Sequence, residues 1–167
     1  MFDASPLNHF ARAGELHALR DLVSEYDWVT TKAMLAELRR GAEDHPSLRG
    51  ALALEWLRTV PCDDLDVLYL FTHYTNQLGN HERNAGEATV LAWAEAHEAT
   101  AYLDDEVAYN VGRSRQVTVR RTLGLIIAAH KSGGMSEARA RALVESLADT
   151  DARFHTKRDS ICSAGRG

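Results

Sequence analysis

The chain has 167 residues, enough to bury one sizeable hydrophobic core without disulfide staples. Its 45% hydrophobic and 26% charged content is that of a soluble globular protein, and no apolar run approaches the ~20 residues that a membrane span requires. The formal charge of −5 argues weakly against nucleic acid, yet residues Val107 to Arg141 carry seven basic side chains against one acid, leaving −11 on the rest.

The opening "MFDASPLNHF" lacks a basic segment followed by an apolar one, so a cytoplasmic protein with no membrane association is expected. After a first strand that can only be very short, Ser5 and Pro6 are helix-start residues, and Gly14 divides the following segment into two short helices. "DWVTT" (27–31) reads as a strand. "KAMLAELRRG" reads as a helix closed by Gly41, and "EDHPSLRG" as a turn. Residues 51–60 suit a strand, with or without a helical lead-in, and Asp64 to Gly79 has apolar positions at the spacing of a helix face.

A loop holding His81 and Arg83 then leads into an Ala-rich helix from about Gly86 to Glu98. His81 reads as a solvated surface residue. Strands at 100–103 and 116–120 flank a short helix after Asp105, and two helices, "TLGLIIAAHKSGG" and "SEARARALVESLADT", complete a domain over residues 1–155. Residues 156–167 read as a loosely ordered tail. Cys62 and Cys162 have no CxxC spacing and read as reduced thiols.

Short strands alternating with helices imply a parallel sheet, hence a three-layer α/β/α sandwich with a short, mostly parallel central sheet. In such sheets ligands bind beyond the carboxyl ends of the strands. Asp3 follows the first strand, and Asp104 and Asp105 follow "TAYL", so they share that edge. Glu87 in a first helical turn and Glu37 within a helix can point toward it. Each acid also has a bland reading, as a helix cap, a dipole partner or, for Glu37, a solvated partner of Arg39 or Arg40. Clustered, they would raise one another's pKa unless a divalent cation, Mg²⁺ or Mn²⁺, neutralised them.

In order, "FDASPLNHFARAGELHALRDL", "VTTKAMLAEL", "NAGEATVLAWAEAHEATAYLDDEVAYNVG" and "VTVRRTLGLIIAAHKSG" resemble the PIN-domain proteins, in the branch with D-x-S-P-L, G-E-A and L-D-D motifs. The resemblance implies a Mg²⁺- or Mn²⁺-dependent ribonuclease, the toxin of a toxin–antitoxin pair. Its expected partners are an RNA substrate, a cognate antitoxin protein and, as a homodimer, a second copy of the chain. It assigns acidic roles to Asp3, Glu37, Glu87 and one of Asp104 and Asp105, and a water-positioning role to Thr122. Arg121 stands where the family has glycine and puts a guanidinium at the rim; with Arg113, Arg115 and Arg120 it would offer phosphate contacts. The competing expectation is a catalytically inactive PIN-like module that binds RNA or protein.

Overall fold

Residues Met1 to Asp3 form the middle of the sheet. In the computed structural model, which describes residues 1–79 and 84–150, Phe2 N–H donates to the Val29 carbonyl at 2.8 Å. On the other side Asp3 N–H donates to Tyr102 O, and Tyr102 N–H to Met1 O, both at 2.9 Å, around a parallel Phe2–Tyr102 bridge. Strand β1 (Trp28–Thr31) pairs in parallel with β2 (Leu57–Val60), and β3 (Ala101–Tyr102) with β4 (Val119–Arg120). The spatial order is therefore β2, β1, residues 1–3, β3, β4.

The β-branched and aromatic run Trp28-Val29-Thr30-Thr31 is buried throughout, as a central parallel strand must be, whereas edge strand β2 is buried only at Leu57 and Val60. Phe2 is fully buried, its ring stacked 4.2 Å from Trp28 and tilted against Tyr102.

Helices cover this sheet on both faces, giving an α/β/α sandwich. α1 (Ala4–Arg12) starts at Asp3, whose side chain accepts from Ser5 N–H, and stops before Gly14, whose φ of 71° no ordinary residue adopts cheaply. α2 (Leu16–Leu22) follows. α3 (Lys32–Asp44) begins at the Thr31 cap, so Gly41 lies inside the helix and does not end it. Its reason is packing: a Cβ at Gly41 would come within 3.0 Å of Leu48 Cδ1.

The expected turn over 43–50 is largely helical, with a 3-10 turn at Pro46–Leu48 running into α4 (Arg49–Leu52). α5 (Leu65–Leu78) and α6 (Ala85–Ala96) pack on each other, and α6 touches β1 and β3. α7 (Glu106–Ser114), α8 (Thr122–Lys131) and α9 (Glu137–Ala148) complete the described chain. Both last strands are shorter than expected; before β4, Gln116 takes a φ of 64° and Val117 N–H turns back to Gly112 O. His81, Arg83, Cys162, the end of the domain and the expected tail lie outside the described residues.

Candidate active site

The chain leaves residues 1–3 in one direction toward β1 and returns on the other side as β3, so the helical connections diverge just beyond Asp3. That is the crevice where open parallel sheets bind ligands. Asp3 is 3% exposed. Its Oδ2 accepts from Ser5 Oγ at 2.8 Å and Ser5 N at 3.2 Å, while Oδ1 is buried with no hydrogen-bond partner. Burial raises its carboxyl pKa against the pull of the Ser5 bonds.

Glu87, in the first turn of α6, likewise has a buried Oε2 with no partner. Its carboxyl is pushed up to about 7, first by burial and then by the charge of Asp3, with Glu37 and Asp105 adding to it. Glu37, on α3, is exposed as a whole residue, and its Oε2 lies over Gly86 of α6, 3.2 Å from where a Cβ would stand. It too is raised to about 7, by desolvation and by Asp3, with Arg40 opposing. The structure thus brings Asp3, Glu37 and Glu87, from three separate elements, into one mutually repelling set.

Asp104 and Asp105 differ in role. Asp104 Oδ1 accepts from Thr122 N–H at 2.9 Å, and Oδ2 accepts from the Thr122 hydroxyl and lies 3.3 Å from His9 Nε2. Burial would raise Asp104, but the hydrogen bonds from His9 and Thr122 prevail and hold it below the ordinary carboxylate range. Asp105 is exposed and caps α7, its Oδ1 accepting from Ala108 N–H at 2.8 Å. Asp104 acts on the charge of Asp3 and Asp105 on that of Glu87, so the two flank the pocket from the end of β3.

Thr122, buried completely, spends its hydroxyl on Asp104. Thr122→Val keeps the shape and removes that donor, and is expected to cost about 2 kcal/mol, or ~5 °C in Tm, measured by thermal unfolding.

The arginines do not form a shared rim. Arg121 donates to Asp104 O at 2.9 Å, pairs with Glu106 Oε2 at 2.5 Å and stacks over Tyr109. Arg115 grips Glu95 with Nε at 2.9 Å and Nη2 at 2.6 Å, and its Nη1 is 2.8 Å from His73 Nε2. Glu95 lies eight residues beyond Glu87 on α6, ~12 Å along the axis, so Arg115 sits at the far end of that helix. Arg120 is exposed and enters a groove with Tyr26, Trp28 and Tyr102.

His9 escaped the sequence reading. Ser5, Asn8, His9 and Arg12 recur at i, i+3, i+4 and i+7 as a polar stripe on a helix whose Leu7, Phe10 and Ala11 are buried, and that stripe was the available signal.

Among the described residues, no three His, Cys, Asp or Glu side chains are arranged closely enough to hold an ion as they stand. The donor chemistry nonetheless fits a hard divalent cation: carboxylate oxygens, two of them buried and unpartnered, with carboxyls destabilised by one another. No helix among the described residues is long and apolar enough to cross a membrane.

A family model described as a PIN domain matches residues 1–161. No curated protein and no solved structure matches the chain.

Proposed function

Since the chain belongs to the PIN-domain family, a nuclease-type fold, we propose that it hydrolyses phosphodiester bonds in RNA as a Mg²⁺- or Mn²⁺-dependent endoribonuclease. The observation that carries the reading is the set of three mutually repelling carboxylates at the switch point of the sheet, with Asp3 Oδ1 and Glu87 Oε2 buried and unpartnered.

Asp3, Glu87 and one of the Asp104–Asp105 pair would hold the cation, and Glu37 would face it from α3. When bound, the cation supplies an activated water and neutralises charge at the scissile phosphate. The chain's own groups prepare that chemistry. Ser5 fixes one oxygen of Asp3, while the other is buried without a hydrogen-bond partner. Thr122 and His9 fix Asp104, so the end of β3 cannot drift from α1 and α8. Arg40, near enough to oppose the rise in the Glu37 pKa, is the cation best placed to meet a phosphate at the rim.

As a toxin of a toxin–antitoxin pair in the cytoplasm, the protein would be silenced by a small antitoxin that places a basic side chain among these carboxylates, and it would work as a monomer or a homodimer. A second reading, a PIN-like module that binds RNA or protein without catalysis, draws on the lack of a preformed ion cage among the described residues.

Incubation with single-stranded RNA separates the two. Cleavage is expected with Mn²⁺, its loss with EDTA, and its return on adding excess Mn²⁺. RNA that stays intact under all three conditions overturns the enzyme reading.

A further inference from the structure

One side chain touches the immediate surroundings of all three raised carboxylates. Met34, fully buried in the first turn of α3, accepts the Ala4 N–H on its Sδ at 3.2 Å, and Ala4 follows Asp3 in the chain. At its other end the Met34 methyl fills the hollow over Gly86, the residue before Glu87; a Cβ built there would fall 1.8 Å from Met34 Cε. The same Cβ would stand 3.2 Å from Glu37 Oε2, and Glu37 lies one helical turn after Met34 on the same element. The three acids come from the sheet centre, α3 and α6, and between these elements the Met34 thioether is the common spacer.

We propose that Met34 is a positioning residue, which with the bare backbone of Gly86 sets the separation of the Asp3, Glu37 and Glu87 carboxylates for a divalent cation. This rests on the metal-dependent reading above.

The chemistry calls for methionine in particular. An unbranched side chain with several rotatable bonds reaches from α3 to both neighbours, and its sulfur is a weak acceptor that leucine lacks. The sulfur shares the Ala4 N–H with the Asp3 carboxyl and so ties α3 to the backbone beside that carboxyl. A side chain at position 86 would displace the Met34 methyl or push Glu37 aside. Leucine at position 34 keeps most of the volume but supplies no acceptor for the Ala4 N–H, and its branched end pushes against Gly86.

The test uses the full chain and Mn²⁺ alone as the probe. In folded Met34→Leu the calorimetric Kd for Mn²⁺ is expected to rise at least tenfold, as outer-shell partners of metal ligands typically show. Gly86→Ala should weaken binding as much or more, and Met34→Ala/Gly86→Ala should recover part of the loss, because the added methyl then has room. Crystal structures of wild type and Met34→Leu give the second readout, with a change of ~1 Å or more expected among the three carboxylates.

A Kd within twofold of wild type in folded Met34→Leu overturns the proposal, as do unchanged carboxylate separations or no recovery in the double variant. If wild type binds no Mn²⁺, the metal-dependent reading falls, and the crystallographic separations still decide the role of Met34.

Discussion

Asp3→Asn and Glu87→Gln are each expected to reduce Mn²⁺-dependent RNA cleavage by on the order of 10³-fold, equivalent to about 4 kcal/mol of lost transition-state stabilisation. Both substitutions keep size and hydrogen-bonding shape while removing a charged oxygen ligand. They should also have an effect opposite to that of an ordinary damaging mutation. Burial and mutual repulsion raise these carboxyls, so in the metal-free protein the ionised form is the strained one. Replacing either by a neutral amide should leave the metal-free Tm at pH 8 unchanged or raise it by about 2–4 °C. Lost activity with an undiminished Tm assigns the residue to the chemistry. An unaltered cleavage rate, or activity lost together with the fold, removes it.

The carboxylate cluster of the metal-free protein is expected to lose stability as pH rises from about 4.5 to about 7, and a divalent cation should restore it; the buried Met1 amine, lowered by desolvation to about 5, acts the other way in the same window. Glu37 and Glu87 move from an ordinary 4.5 to about 7 on folding. A folded-state pKa raised in this way means stability fully present below the unfolded value and lost as pH climbs through the folded one. Asp3 is raised as well and acts in the same direction. Each full unit is worth about 1.4 kcal/mol, but Glu37 and in part Glu87 retain contact with water, so the combined loss is discounted to about 3 kcal/mol, or ~5–10 °C in Tm. Thermal melts from pH 4.5 to 8, with EDTA and with excess Mg²⁺, measure it. Because the Met1 amine gains stability in this window with or without the cation, the carboxylate part is read as the difference between the EDTA and Mg²⁺ melts; a difference that does not grow with pH would show that the carboxylates are compensated by groups other than a cation.

Much of the site was legible because its residue types stand at punctuated positions. Asp3 precedes a Ser-Pro helix start, Glu87 lies in the first turn of a small-residue helix, and Asp104 and Asp105 end a β-prone run. Each spacing ties a carboxylate to one end of an element. Asp105 proved to be the helix cap that one of the pair could have been, and Asp104 the residue tied to Thr122.

The basic residues were not legible in the same way. A long arginine side chain reaches several residues from its own backbone, so position in the chain says little about its partner. Arg115 and Arg121 follow the acidic motif in sequence, yet one is committed to Glu95 and the other to Glu106 and the Asp104 carbonyl. Gly41 illustrates the same gap for packing: it reads as a helix stop, but only the arrival of Leu48 from a later turn explains its missing side chain.

The sequence by itself determined the alternation of strands and helices, the edge at which the acids gather and the family. Those follow from local spacing, capping and periodicity, which act over a few residues. Tertiary structure alone decided that residues 1–3 lie at the sheet centre and that Asp3, Glu37 and Glu87, from three separate elements, come close enough to repel one another. It also decided that His9 braces Asp104 and that Met34 separates α3 from both neighbours. Those contacts join residues from about 30 to about 100 positions apart, and their energies come from burial and hydrogen bonds that exist only once the chain has closed on itself.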